Sequence, residues 1–197
     1  MSCVGKGCAY ALFGIFVCFS SFTATGRDNV SPANNDNSKD KFQWMDHTKL
    51  SWDDFKGEVN ATHDESAAAT CCSIGFKTNT PSPGGKQEII VYNTFYVNKS
   101  WVRTDARIAS ILDHEQGHFD LCEIYTRKLR DRMQDIDPSA PGMKPVLMQI
   151  YTEVSKEYEA RQQAYEDETI HGTDIGMQKK WQQIIASELV GQVNAQS

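Results

Sequence analysis

The sequence predicts an α+β fold, a small antiparallel β-sheet followed by a helical region, and three observations predict it. Residues 88–97 (EIIVYNTFYV) are rich in β-branched and aromatic side chains and read as a strand. The turn formers Pro-Ser-Pro-Gly-Gly at 81–85 precede it, and the β-tolerant run 67–78 (AAATCCSIGFKT) lies on their other side, which predicts a hairpin. From Thr104 onward the apolar period becomes helical, and strands followed by helices give this fold class.

The elements follow in order. Residues 42–57 (FQWMDHTKLSWDDFKG) mix aromatics with turn formers and predict a short opening strand and a loop. Ile108, Ile111, Leu112, Phe119, Cys122, Tyr125, Leu129 and Met133 mark a first helix reaching about residue 135. Pro138 and Pro141-Gly142 break it. Val146, Leu147, Ile150, Tyr151, Val154 and Tyr158 mark a second helix ending near Thr169, before Gly172. A third, roughly Asp174 to Val193, carries Trp181, Ile184, Ile185 and Leu189.

The N-terminus has a different character. Lys6, the apolar or small run from Cys8 to Phe22, and the small residues up to Gly26 fit a signal peptide over 1–26. That run falls short of the about 20 residues a membrane span needs. Export to the periplasm, the cell envelope or the medium is therefore expected, with an uncleaved N-terminal anchor as the alternative and the one route to a membrane. Residues 27–41 (RDNVSPANNDNSKDK) contain almost nothing to bury and read as a disordered linker. Residues 42–193 then form one domain, long enough for a core of its own. The net charge of −6 comes from interleaved acids and bases, with no basic stripe of the kind nucleic acid requires. Outside the signal, Cys71, Cys72 and Cys122 are either small buried hydrophobes or, in an exported chain, a bridge from Cys122 to Cys71 or Cys72.

The chemistry concentrates in His114-Glu115-Gln116-Gly117-His118, inside the first helix. Residues four apart on a helix lie about 40° from each other around the axis and about 6 Å apart along it. Two histidines so placed can direct ring nitrogens at one zinc ion about 2.0–2.1 Å from each. Glu115, rotated by about 100°, reaches a water at that ion without being a ligand, and is the expected general base for peptide-bond hydrolysis.

The third ligand has to come from elsewhere. Glu123 lies on the opposite side of the helix from His114, and Cys122 is about 12 Å further along the axis. Folding the first two helices back about the break at 138–142 brings 164–171 opposite residue 116. That segment holds Glu166, Glu168 and His171, with Gly172 freeing the backbone beside His171. His47 and His63 are more remote candidates. Asp120 or Glu168 is a candidate acceptor for the second N–H of a ligating histidine, and Tyr165 is either core or an oxyanion donor.

SWDDFKG (51–57), SWV (100–102), HEQGHFDLCEIYTRKLR (114–130) and ETIHG (168–172), followed by Gln178 and Trp181, resemble a bacterial family. It is the exported family catalogued as domain of unknown function 922 and described as secreted zinc-dependent proteases. The resemblance spans about 42–190. It implies a zincin-like helical region, one Zn2+ held by His114, His118 and His171, and Glu115 as base. The expected function is an exported zinc metallopeptidase acting on a peptide or protein; the alternative is a zinc-binding, non-catalytic envelope protein.

Overall fold

The computed structural model describes residues 40–45, 49–59, 66–79 and 85–194. The signal segment 1–26, the linker up to residue 39, His47, His63 and the turn residues 80–84 lie outside them. The described elements are β1 (Lys41–Phe42), β2 (Ala68–Ala69), β3 (Cys72–Asn79), β4 (Glu88–Tyr96), β5 (Trp101–Val102), α1 (Ala109–Met133), α2 (Met143–Thr169) and α3 (Ile175–Asn194). The predicted α+β class holds, with a small antiparallel sheet and three helices.

β3 and β4 pair antiparallel from Cys72 opposite Phe95 to Asn79 opposite Glu88, the predicted hairpin. β1 covers the other edge of β4, giving the order β1-β4-β3. A second ribbon, β2 with β5, pairs Ala69 with Trp101. The sequence pattern misses β5, because two residues are too short to show a period. The helical period that begins at Thr104 is first a single 3-10 turn over Thr104–Ala106, and the α-helix starts at Ala109.

α1 lies against the sheet. Phe119 is fully buried, its ring 5.3 Å from Phe95 and 5.8 Å from Phe42, both edge-on. Phe95 stacks on Phe42 at 4.8 Å and meets Phe55 at 5.6 Å. On its other side α1 packs against α2 and α3 through a smaller core of Leu121, Ile124, Tyr165, Trp181 and Ile185. α1 is therefore buried from several directions, which explains why its polar residues include the buried His114, Glu115, Glu123 and Arg127.

Glu123 occupies the side of α1 away from the histidine pair, as its spacing requires. Arg127 Nε donates to its Oε1 at 2.8 Å, Asn93 of β4 donates to Oε2, and Arg127 also donates to the Leu189 carbonyl of α3 at 2.7 Å. With only 2% of Glu123 exposed, its removal strands a buried guanidinium. Glu123→Ala is expected to cost about 3–5 kcal/mol, read from urea denaturation; a loss below about 1 kcal/mol, the scale of an exposed pair, would show that water reaches Arg127.

Candidate metal centre

The site is assembled on α1 by the hairpin with α2. α2 runs from Met143 to Thr169, so Gln162 and Glu166 share one face and both meet His118. His118 Nε2 is 3.2 Å from His114 Nε2 and 2.9 Å from Glu166 Oε1, and His114 Nε2 is 3.6 Å from Glu166 Oε2. Among the described residues, these three side chains form the cluster whose donor atoms all come within 4.8 Å of one another. Two nitrogens bound at about 2.05 Å with a tetrahedral angle are about 3.3 Å apart. The observed spacing of the ring nitrogens fits that value.

The hydrogen bonds behind the rings fix which nitrogens face inward. Gln162 Nε2 donates to the His118 carbonyl at 3.0 Å and to Tyr158 Oη at 2.9 Å. A carbonyl only accepts, so the amide oxygen of Gln162 must be the atom 2.6 Å from His118 Nδ1, which donates to it. At His114 one further residue takes part. Tyr165 Oη donates to the His114 carbonyl at 3.0 Å and accepts from Gln178 Nε2 at 2.8 Å, leaving Gln178 Oε1 to accept from His114 Nδ1 at 3.1 Å. Both Nδ1 atoms are thus donors and both Nε2 atoms point to the same place, the arrangement that prepares histidines for a cation.

Tyr165 also sets the ring planes, stacked on His114 at 4.8 Å and edge-on to His118 at 4.9 Å. It is fully buried, and burial holds its phenol far above the usual range. Its place is in the core, beneath the two imidazoles, and the oxyanion role weighed from the sequence is not supported. Gly117 makes this contact achievable: a Cβ there would lie 2.3 Å from Tyr165 Oη. On the other flank, Gly172 (φ +76) lies so close that a Cβ would sit 2.8 Å from His114 Cγ.

His171, expected as the third ligand, stands outside the cluster. Its Nδ1 is 2.7 Å from Glu166 Oε2, its side chain is 48% exposed, and Glu166 takes the place facing both histidines. The physical reason is the end of α2. The helix continues to Thr169 and then turns through left-handed Ile170 and His171, so the ring at 171 approaches the carboxylate from outside. The two expected acceptors are also engaged elsewhere. Asp120 accepts from Trp44 Nε1 and Gln116 Nε2, both at 2.8 Å, and Glu168 accepts from Trp181 Nε1 at 2.9 Å. The acceptors in place are Gln162, which the sequence reading missed, and Gln178. Cys71, Cys72 and Cys122 are all buried, Cys72 and Cys122 as thiols rather than a bridge, with Cys72 Sγ 3.2 Å from Tyr158 Oη.

Glu115 is 4% exposed, and its Oε2 has no hydrogen-bond partner among the described residues. An orphaned buried carboxylate oxygen is costly. Beside three converging donors of a nitrogen-nitrogen-oxygen set, it fits a site that takes a cation with a water attached. The donor set suits zinc.

Burial disfavours the charged form of His118, but the Glu166 carboxylate outweighs it and holds the pKa up at about 9. Burial likewise opposes ionisation of Glu166, and the His118 charge overrides it, keeping that carboxyl far below its usual range. His118 therefore holds a proton against the ionised Glu166, and a metal binding there displaces it. The group has its pKa raised, so the competition is strongest at low pH and fades as pH approaches about 9. Zinc affinity, measured by chelator competition, is expected to rise about tenfold per pH unit between pH 6.5 and about 9. An affinity flat across that window would contradict the pairing.

No curated protein and no solved structure matches the chain. The model of a family described as a bacterial protein of unknown function, DUF922, matches residues 92–172. That span starts within β4 and ends at the His171-Gly172 turn, taking in His114, Glu115, His118, Gln162, Tyr165 and Glu166. Over residues 92–172 the chain is similar to the DUF922 family.

Proposed function

We propose that the protein is a zinc-dependent hydrolase, exported, with peptide bonds as its substrate and a zincin-like arrangement at its centre. One observation carries this: two histidine nitrogens and a Glu166 oxygen converge while the neighbouring Glu115 keeps a buried, unpartnered carboxylate oxygen. His114, His118 and Glu166 would hold the ion, leaving one position of a tetrahedron open, the mark of a catalytic rather than a structural zinc. A bound zinc supplies Lewis acidity, lowering the pKa of water toward about 7 and polarising a carbonyl.

The chain's own groups do the rest. Glu115, close enough for its charge to act on His118, accepts the proton of the attacking water and returns it to the departing amine. Gln162 and Gln178 hold the imidazoles in the tautomer that leaves Nε2 available. Glu166 and His118 keep 18% and 12% of their side-chain surface, so a substrate can reach them.

Metal analysis of the purified protein tests the reading. Close to one zinc per chain is expected, lost on His118→Ala, together with hydrolysis of a peptide library by the zinc-loaded wild type. A wild-type chain with no stoichiometric metal removes the hydrolase. Zinc without hydrolysis turns the reading to the non-catalytic envelope protein.

A further inference from the structure

We infer that His171 is a positioning residue for Glu166: its Nδ1 engages Oε2 so that the carboxylate presents Oε1 alone to an ion between His114 and His118. The inference rests on the metal-centre reading above and assigns how that centre is held.

The two oxygens of Glu166 have different partners. Oε1 faces His118 Nε2 at 2.9 Å, while Oε2 meets His171 Nδ1 at 2.7 Å and stands 3.6 Å from His114 Nε2. A carboxylate engaged on one oxygen from behind offers the other in a single orientation.

The backbone is built to make this contact. In a continuing helix, residues five apart would lie about 140° from each other, and the side chains of 166 and 171 could not meet. Ile170 (φ 49), His171 (φ 53) and Gly172 (φ 76) instead form a left-handed run. That is an unfavourable conformation for a β-branched isoleucine, and it must be held in place. His171 N–H donates to the Glu166 carbonyl at 2.9 Å, Gly172 N–H to Thr169 Oγ1 at 3.1 Å, and Asp174 N–H to the Thr169 carbonyl at 2.8 Å. Thr169 is fully buried, and Gly172 abuts the His114 ring. The turn is therefore fixed at both ends, which places the imidazole beside the carboxylate.

Zinc dissociation constants and the absorption of the Co2+-loaded protein, compared across wild type, Glu166→Ala, His171→Ala and His171→Asn, test the assignment. The His171 side chain is half exposed, so the two His171 variants should fold. Glu166→Ala is expected to lose more than about 100-fold in affinity and to change the cobalt band, as a lost ligand does. His171→Ala should lose about 10-fold, within the range for groups that orient ligands, with the cobalt band retained. His171→Asn should recover most of that loss, because its amide nitrogen can replace Nδ1 and asparagine tolerates left-handed φ. If His171→Ala matches Glu166→Ala in affinity and cobalt band, His171 is itself a ligand and the assignment is wrong. An unchanged affinity in His171→Ala overturns it as well. A wild type that binds no zinc is a separate result, removing the metal centre and the assignment with it.

Discussion

Replacing Glu115 by glutamine is expected to leave zinc bound and to lower peptide hydrolysis by at least about 100-fold, the lower bound for removing a general base. The substitution keeps shape and burial and removes only the capacity to accept a proton. Glu115 is absent from the converging cluster, so the ion should stay. The variant should also be no less stable than the wild type, since it neutralises a buried carboxylate whose Oε2 has no hydrogen-bond partner among the described residues. Losing activity while keeping stability and metal separates a reacting group from a structural one. Hydrolysis retained within about threefold, against the about 100-fold expected of a general base, would remove Glu115 from its role.

The second large effect is expected at Gly117. Glycine in mid-helix is intrinsically unfavourable by about 1 kcal/mol relative to alanine, so Gly117→Ala ought to stabilise α1 if nothing opposed it. Here the new methyl would lie 2.3 Å from Tyr165 Oη and 2.6 Å from its Cζ. Tyr165 is fully buried between His114, His118 and Trp181 and has nowhere to go. Overpacking of that kind costs about 1–3 kcal/mol, and displacing the phenol removes its bond to the His114 carbonyl, about 1 kcal/mol more. A net loss of about 1–3 kcal/mol is expected after the propensity gain, together with weaker zinc binding as the His114 ring loses its stacking partner. Gly191→Ala is the control, because a Cβ there meets nothing within 4 Å. It should be neutral or slightly stabilising. If the two variants behave alike, the Tyr165 contact does not constrain the site.

Much of this was legible in the sequence, and what was missed has a specific cause. The helical period around His114 and His118 fixed both residues on one buried face, and reflection about Pro138–Gly142 pointed to 164–171 as the facing segment. The pairs observed, His118 with Gln162 and Glu166 and the His114 carbonyl with Tyr165, agree with that reflection. Choosing between Glu166 and His171 needed the helix phase at its last turn and the left-handed run after it, neither of which a periodicity reveals. A usable signal was present. Tyr158, Gln162, Tyr165, Glu166 and Thr169 recur at helical spacing, a polar stripe on a face that should be apolar. Such a stripe marks buried hydrogen-bonding partners, and it contains both the third donor and the residue that orients His118. The brief β5 was below the length at which a pattern can be read.

In the proposed function His114, His118 and Glu166 form one metal centre. Anomalous scattering from crystals of the zinc-loaded protein, collected on both sides of the zinc absorption edge, tests it most directly. A single peak is expected about 2.0–2.2 Å from His114 Nε2, His118 Nε2 and a Glu166 oxygen, with His171 on the far side of that carboxylate. A peak bonded to His171 instead of Glu166, or none between the two histidines, would contradict it.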